Sequence, residues 1–597
     1  MKEKFNYFLT NNKLVFLFFI VLVFLFYRTL FQSYFEADEW YAFTLNLPLT
    51  HDPWGFLKVL IKYSTIDAPS LAQLQHIVPL AEEIFFLNAL FFGTNFVPYA
   101  FISLSLHALN SFLVFMLIKL LISRRPIFAF LGGLFFALSP VQMHAVTWAA
   151  TYQTSVLPVT LSLLSIIFFM LAYLRNKKKF IYISVLFLFL ALSTKETSII
   201  LFIILPIIAF FEKRTFPSSF LVKIFVASLI VYLVFRFLLP GIYSLSSLKT
   251  QQAKVSDTHT VVSRDLSIYT NLPREVLFRA ITFPVRMIGT SFLPRQTVFS
   301  IVQFITPIVS PVDPGGNTIG QLAFLYGSGN FVIIYLVSLA VIFFCLSSII
   351  RFIKRKQISE AKPIVVGLAI IILSAFPLVA IIFSFPRWGY DFYFDSRYYY
   401  GPSIGAAIIF PFLIFGIGEF VSKNFYIRKT STVVLIAFIF WLINNIYVFN
   451  LGLKEFTQNY RPDARVVVRQ LKEYLPKLPP KTVFYFETDG KSALGPRLPF
   501  FTSVPQALTV VYYDVSPLPD SFFDKPLFLG NPEGYQYADG RGFGFYTSKK
   551  ELAEDLSSGL FSGENIHSFY YYAEKVKLKN TTWEIRGEME NFLKTEK

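Results

Sequence analysis

Long apolar runs alternate with short polar segments along most of the chain, and this pattern predicts a bundle of membrane helices. A helix crosses a hydrocarbon core of ~30 Å with roughly 20 apolar residues at about 1.5 Å each. Eleven segments are predicted to cross: 14–31, 96–121, 127–147, 155–174, 180–193, 198–211, 218–239, 328–350, 362–385, 402–421 and 431–450. The stretch 180–211 is too long for one crossing, so we interpret it as two short helices that meet at "STKET" (193–197).

The pattern changes after residue 450. "ARVVVRQLKEYL" (464–475) has helical spacing, whereas "TVFYFET" (482–488) and "ALTVVYYD" (507–514) are typical of strands bounded by Pro, Gly and Asp. We therefore expect a transmembrane domain at 1–450 and a soluble α/β or α+β domain at 451–597. Three roles remain open for the second domain: binding an acceptor, closing as a lid, or stabilising the outer loops.

The placement of charge predicts the orientation of the helices. Of the 597 residues 54% are hydrophobic and 15% charged, and the formal net charge is +17. The basic clusters "SRRP" (123–126), "RNKKK" (175–179), "EKR" (212–214) and "RFIKRK" (351–356) lie between apolar runs. This is the positive-inside distribution, which serves topology rather than nucleic-acid binding. It puts the N-terminus in the cytoplasm, and loops 32–95, 143–154, 240–327 and 386–401 outside with the C-terminal domain.

Two further segments complete this topology. The first apolar run has no small-residue cleavage site after it, so we expect a retained helix rather than a removed signal peptide. Residues 272–294 are apolar but interrupted by Arg274, Arg279 and Arg286, which predicts an amphipathic helix on the outer surface. The composition, with abundant Phe and one cysteine, Cys345, fits a protein of the bacterial cell membrane.

Ionisable residues gather on the predicted outer side, and together they suggest a reaction site. They are Asp38, Glu39, His76, Glu82, Glu83, His144, Lys195, Glu196, Asp395, Arg397 and Tyr398. A carboxylate just outside the first helix can accept a proton as a general base, and cations at the membrane surface can hold a donor phosphate. Simpler interpretations also exist. Lys195 and Glu196 can pair with each other, His144 can cap a helix end, and the tyrosines of 395–403 can form an interfacial aromatic belt.

The sequence has no signature of a cofactor. A glycine-rich phosphate loop is missing, which argues against a soluble nucleotide-sugar donor. Asp38, Glu39, Glu82, Glu83 and His76 carry oxygen and imidazole ligands for a divalent metal, but their spacing matches no diagnostic motif. We therefore expect that no metal or other cofactor is required.

Five segments, in order, resemble a known superfamily. "ADEW" (37–40) resembles the Asp-Glu motif in the first outer loop of GT-C glycosyltransferases. "VPLAEEIFFLNALFFGTNFVPYAFISLSLHALNSFLVF" (78–115), "LSPVQMHAVTWAATYQTSVLP" (138–158), "LALSTKETSIILFIILPI" (190–207) and "DSRYYYGPSIG" (395–405) are similar to segments of the protein O-mannosyltransferase-like branch, which carries TPR repeats in animals. The chain lacks those repeats and has the 451–597 domain in their place.

The resemblance implies a GT-C-like fold and transfer, with inversion, of a sugar from a polyprenyl-phosphate-linked donor on the non-cytoplasmic face. Asp38 would be the catalytic base, with Glu39 beside it as a second catalytic residue in the acceptor or donor pocket, and Lys195, Arg397 and Tyr398 would lie near the lipid phosphate. The expected partners are the lipid-linked donor, membrane lipids and a protein or glycan acceptor, without nucleic acid. The alternatives are a transporter or flippase of lipid-linked saccharides, with sites near the bilayer midplane, and a non-catalytic membrane scaffold.

Overall fold

The structure is a computed structural model. It describes residues 2–35, 38–57, 59, 78–122, 125–212, 216–234, 272–309, 328–379, 396–424, 430–454, 461–492, 495–496, 498, 500, 504–513, 533–538 and 541–595. The helices of the membrane part are Lys2–Thr10, Asn12–Phe26, Asp38–Thr50, Pro79–Phe92, Phe96–Leu121, Pro126–Leu138, Met143–Thr147, Tyr152–Ser155, Leu157–Arg175, Lys179–Thr194, Leu201–Phe211, Ser218–Leu233, Leu272–Phe292, Arg295–Val309, Gly329–Lys354, Ile358–Val379, Pro402–Asn424 and Thr430–Lys454. Short 3₁₀ turns lie at Arg28–Gln32, Pro140–Gln142, Ala149–Thr151, Glu196–Ile200 and Ser396–Tyr399.

Six helices in the described part of the chain are long and apolar enough to cross a membrane, or eight spans if each of two bent pairs counts as one. The described residues of all eleven predicted segments are mostly helical, but four of the segments form helices of 17 residues or fewer, so eleven spans are not confirmed. The two least buried spans, Gly329–Lys354 and Thr430–Leu453, expose large apolar side chains such as Phe343 and Phe440. Such surfaces suit lipid rather than water, and the chain is an integral membrane protein.

The prediction for 272–294 is wrong. The helix Leu272–Phe292 packs along Gly329–Lys354 and Ile358–Val379 instead of lying on the surface. Arg279 and Arg286 are only 2% and 3% exposed, whereas Leu277 is 62% exposed. Arg279 and Arg286 stack on the buried Phe283 ring, whereas Arg274 is exposed. The exposed apolar side chains suit hydrocarbon outside the bundle, and the two buried cations are kept away from it.

Close helix contacts depend on glycine. Gly367 and Gly405 face each other where the Ile358–Val379 and Pro402–Asn424 helices cross, and a Cβ on Gly405 would clash with the Gly367 carbonyl. Small residues let membrane helices approach closely enough for dispersion contacts along their length. This crossing holds two walls of the cavity described below.

The C-terminal domain is a mixed sheet between helices. Its strands are β1 (Val483–Thr488), β2 (Lys491–Ser492), β3 (Gly495–Pro496), β4 (Gly534–Ala538), β5 (Arg541–Tyr546), β6 (Ile566–Tyr572) and β7 (Lys577–Asn580). Five of them pair in the order β4-β5-β1-β6-β7, with β1 parallel to both β5 and β6, while β2 and β3 form a separate ladder. The helices are Arg461–Tyr474, Val504–Tyr512, Lys549–Ser557 and Thr582–Thr595.

Alternate residues of β1 face two cores. Phe484 and Phe486 join the cluster that continues into the membrane part, whereas Val483 and Tyr485 pack with the Lys549–Ser557 and Thr582–Thr595 helices. The helix predicted near 464–475 and the strand predicted at 482–488 are confirmed by Arg461–Tyr474 and β1.

The strand predicted at 507–514 is wrong, since Val504–Tyr512 is a helix with every residue buried. A short apolar run that is buried all round has no alternation that would distinguish a strand from a helix. This helix packs against Asp38–Thr50 of the first outer loop. The C-terminal domain is therefore docked on the helix that begins at Asp38.

Candidate active site

The Asp38 helix, Asp38–Thr50, starts at the acidic motif that follows the first apolar helix. An acidic residue at the first position suits the partial positive charge of a helix N-terminus. The side chain of Asp38 lies outside the described part of the structure, as do residues 36–37. The next carboxylate is described: Glu39 is fully buried, and its Oε1 accepts a hydrogen bond from the backbone N–H of Ala150 at 2.8 Å.

Aromatic rings surround the start of this helix. Trp40, which is 1% exposed, contacts the Phe35 ring at 5.7 Å and the Phe500 ring of the C-terminal domain at 5.6 Å. Phe43 packs on Phe35 and Phe85 with centroids 4.7 and 5.1 Å apart. Edge-to-face aromatic pairs add to the stabilisation from area burial, so the Asp38 helix is packed against both the membrane part and the C-terminal domain.

A chain of short helices over 139–156, which we call the broken segment, links this helix to the rest of the site. Its components are Pro140–Gln142, Met143–Thr147, Ala149–Thr151 and Tyr152–Ser155. Ala150 contacts Glu39 as described, and the His144 N–H donates to Ser396 Oγ at 3.1 Å. Ser103 Oγ donates to the Val146 carbonyl at 2.8 Å and supports the turn from a neighbouring helix. The broken segment thus joins Glu39 to the Ser396–Tyr399 turn.

Lys195, Arg397 and Tyr398 line one cavity of about 90 Å³, which we call the Lys195–Arg397 cavity. Its other described lining residues are Thr154, Ser155, Pro158, Val159, Ser162, Ile166, Thr197, Ser198, Ile200, Leu201, Ile204, Ile370, Ser374, Leu378, Tyr400, Gly401, Pro402 and Ile404. The two cations lie at helix ends, whereas Ile166 and Ile204 lie further along their helices. The cavity therefore combines a cationic, hydroxyl-rich part with an apolar wall.

Arg397 is held by stacking. Its guanidinium carbon lies 4.6 Å from the Trp148 ring centroid and 5.3 Å from that of Tyr398. The Trp148 ring in turn lies nearly parallel to the His144 imidazole, with centroids 6.4 Å apart. Cation–π contact orients the planar guanidinium, and a fixed guanidinium suits bidentate contact with an oxyanion. Lys195 stands between the Lys179–Thr194 helix and the Glu196–Ile200 turn.

A buried polar network behind the cavity was not predicted. Tyr400 lines the cavity, and its hydroxyl oxygen lies 2.8 Å from His107 Nδ1. The same oxygen accepts a hydrogen bond from Asn110 Nδ2 at 3.1 Å. His107 Nε2 lies 3.2 Å from the Ala137 carbonyl, so Nε2 carries the proton and Nδ1 accepts from the tyrosine hydroxyl. His107 and Asn110 are three residues apart, so they share one face of an otherwise apolar span. Two polar residues on one face of such a span are the sequence feature from which this network could have been predicted.

The remaining predicted site residues are not all brought together. His76 and Asp395 lie outside the described residues. Glu82 and Glu83 lie on the Pro79–Phe92 helix, and Glu196 is half-buried beside Lys195 without lining the cavity. Glu83 is 6% exposed, its carboxyl oxygens have no hydrogen-bond partner among the described residues, and burial raises its pKa to about 7.

The acidic and imidazole side chains do not gather into a recognisable metal centre. Within the described ranges, no group of three or more His, Cys, Asp or Glu residues could hold a metal ion.

The spans and the sheet define a polytopic helical membrane protein with a C-terminal mixed-sheet domain. No protein-family model matches the chain, and no curated protein matches it by sequence. The mannosyltransferase-like branch therefore stays a prediction.

One solved structure with some similarity is the oligosaccharyltransferase of Archaeoglobus fulgidus tethered with an acceptor peptide containing the NVT sequon. The identity is 12% and the TM-score 0.37, over 79% of this chain and 61% of that chain. This chain thus spans less than two thirds of that protein's length. Likeness at this level does not establish a shared fold, and the function has to be argued from the residues.

Proposed function

We propose that the protein is an integral-membrane glycosyltransferase of the GT-C type. It moves a sugar from a polyprenyl-phosphate-linked donor to an acceptor hydroxyl on the non-cytoplasmic face, with Asp38 as general base. The observation that carries this proposal is the Lys195–Arg397 cavity, in which two cations from distant parts of the sequence share a lining with an apolar wall. A lipid-linked phosphate needs both surfaces side by side.

The chemistry assigns a role to each group. The acceptor oxygen attacks the anomeric carbon of the sugar as Asp38 takes the hydroxyl proton, and the bond from that carbon to the phosphate oxygen breaks. The electron pair leaves with the polyprenyl phosphate, and the configuration at the anomeric carbon inverts. Lys195 and Arg397 stabilise the negative charge that develops on the leaving phosphate, and Tyr398 helps to orient it.

The position of the cavity also supports this reaction. Its lining includes the ends of helices at Lys195, Arg397 and Pro402, which the distribution of basic clusters assigns to the outer side. A volume of about 90 Å³ is several times the ~10–15 Å³ of cavity space that one water needs. It suits a phosphate group, while the sugar and polyprenyl chain would extend beyond it. A transporter site near the midplane would be expected deeper in the helices.

Glu39 directly follows the proposed base, which suggests a catalytic role, but we assign it a positioning role instead. Because its Oε1 binds the Ala150 N–H, Glu39 positions the broken segment and, through it, Trp148 and Arg397. A shift of the broken segment would alter the distance between the base and the phosphate site, and catalysis is sensitive to such displacements.

The test is sugar release from a panel of polyprenyl-phosphate sugars by the purified full-length protein, comparing wild type with Asp38→Asn. Asp52→Asn is the matched control, because Asp52 lies just beyond the other end of the same helix. We expect wild type and the control to turn over one donor, and Asp38→Asn to be inactive with an unchanged melting temperature. Equal turnover by Asp38→Asn would remove this residue from the mechanism.

A further inference from the structure

A cleft of about 270 Å³ lies between the membrane part and the C-terminal domain, near the start of the Asp38 helix. We call it the Arg465 cleft. Its described lining residues are Phe31, Ser33, Tyr34, Thr94, Asn95, Phe96, Val97, Arg465, Val468 and Arg469. One wall comes from the segment that leads into Asp38, one from the start of the Phe96–Leu121 helix, and one from the Arg461–Tyr474 helix.

The membrane-side wall contains a hydroxyl that lacks a partner. Ser33 is 1% exposed, and its Oγ has no hydrogen-bond partner among the described residues. Buried polar atoms are nearly always paired, so an unpaired hydroxyl beside a cleft is a candidate contact for a ligand. The neighbouring Tyr34 ring lies 5.7 Å from the Trp40 ring, which connects this wall to the Asp38 helix.

The opposite wall is cationic. Arg465 and Arg469 are four residues apart on the Arg461–Tyr474 helix, so they project from one face. Tyr34 and Arg465 both line the cleft; burial raises the pKa of Tyr34, and the charge of Arg465 opposes this rise. Arg469 contacts Glu473 at 3.9 Å, but both side chains are largely exposed, so this pair leaves the guanidinium accessible to a ligand. None of the described lining residues is acidic.

The neutral lining groups suit a sugar. Thr94 and Asn95 supply a hydroxyl and an amide, and the Asn95 Oδ1 is used to cap the Phe96–Leu121 helix, which leaves its amide NH₂ group for a ligand. Tyr34 offers an aromatic surface. The volume is below the roughly 300–1,000 Å³ of sites for drug-sized ligands, so the cleft accommodates one sugar residue rather than an extended chain.

We propose that the Arg465 cleft binds an acidic sugar residue of the acceptor, with Arg465 and Arg469 on its carboxylate or phosphate and Ser33 on a hydroxyl. This inference rests on the proposed transfer reaction and specifies its acceptor as an anionic saccharide. Binding in the cleft would hold the acceptor beside the N-terminus of the Asp38 helix, where its free hydroxyl can meet the base.

The experiment measures binding to the full-length protein in phosphatidylcholine nanodiscs, with three probes at low ionic strength. They are a glucuronate-containing disaccharide, its neutral methyl ester, and an acidic peptide of equal charge. The variants are Arg465→Ala with Arg469→Ala, Ser33→Ala, and the control Lys472→Ala, which removes an exposed cation of the same helix outside the cleft lining.

We expect wild type to bind the glucuronate disaccharide saturably. Wild type should bind the methyl ester at least about tenfold more weakly, and the double arginine variant should bind the disaccharide at least about tenfold more weakly. One charge-assisted contact contributes roughly that factor. Lys472→Ala should bind as wild type does, and Ser33→Ala should weaken binding severalfold. Equal binding by the double variant, or no preference for the acid over its ester, overturns the proposal. Preference for the peptide overturns the saccharide assignment.

Two arms identify the source of the anion and separate this proposal from the transfer reaction. The first arm places the protein in phosphatidylglycerol nanodiscs at the same ionic strength. Loss of disaccharide binding there would assign the cleft to lipid headgroups and overturn the acceptor assignment. Binding by Lys195→Ala should equal that of wild type, because Lys195 lines the Lys195–Arg397 cavity and is not among the described lining residues of the Arg465 cleft. Failure of donor turnover with intact disaccharide binding would therefore count against the reaction and not against the cleft.

Discussion

Removal of the Arg397 side chain provides a quantitative test of the site. Arg397→Ala deletes a guanidinium that stacks 4.6 Å from the Trp148 ring and lines the Lys195–Arg397 cavity. Loss of the stack should lower the free energy of unfolding by about 0.5–2 kcal/mol. Loss of a fixed donor to the leaving phosphate should lower the rate of transfer about 10²–10³-fold, or ~2.7–4 kcal/mol.

Arg397→Lys separates charge from geometry. A lysine keeps the positive charge but has no planar fork for bidentate contact. If one charge-assisted hydrogen bond of ~1.5 kcal/mol is lost, the rate should fall about tenfold. The assay is sugar release from the donor that wild type turns over, with the melting temperature of each variant measured in the same detergent.

The matched control is Arg125→Ala. The Arg125 guanidinium also stacks on an aromatic ring, Phe128 at 5.2 Å, but does not line the cavity. Its removal should cost stability to a similar degree and leave the transfer rate unchanged. The reasoning is refuted if Arg397→Ala and Arg125→Ala transfer sugar at rates within about threefold of each other, because the phosphate contact would then contribute nothing to the transition state.

Three further predictions concern stability. Glu39→Leu leaves the buried Ala150 N–H without its acceptor and should lower the free energy of unfolding by about 1–3 kcal/mol, whereas Glu39→Gln keeps an oxygen there and should cost less. Because burial raises the pKa of Glu83 to about 7, wild type should lose stability as the pH rises from 4.5 towards 7. Glu83→Gln should remove this loss and melt higher than wild type at pH 8. Gly405→Leu should separate two helices at Gly367, lowering both the melting temperature and the rate of transfer.

Each of these has a control on the same chain. Glu82→Gln changes a less buried carboxyl on the Glu83 helix and should leave the pH dependence of melting as in wild type. A Cβ on Gly587 would meet no atom within 4 Å, so Gly587→Ala should have little effect on the melting temperature. A Gly405→Leu protein that melts and transfers as Gly587→Ala does would contradict the close helix crossing. Identical melting of Glu39→Leu and Glu39→Gln would show that the Ala150 contact is not important.

Much of the membrane part could be predicted from the sequence, since an apolar run of about 20 residues has few alternatives to a spanning helix. The predicted segments 96–121 and 402–421 correspond to Phe96–Leu121 and Pro402–Asn424 in the structure. Lys195 and Arg397 could be singled out because charge is rare beside such runs, so each charged residue is informative by itself. Their roles remain proposals.

The tertiary structure decided what those residues face. Whether 272–292 lies on a surface or inside a bundle depends on its neighbours, and its composition is compatible with both. Every residue of the Val504–Tyr512 helix is buried, including Gln506 and Thr509, because the helix packs against the Asp38 helix and β1. Burial on all sides leaves no alternation that would distinguish a helix from a strand. The pairing of Glu39 with Ala150, and of Lys195 with Arg397 around one cavity, joins positions far apart in the chain. Local pattern determines which segments enter the membrane, but only packing between segments brings separate side chains within reach of one ligand.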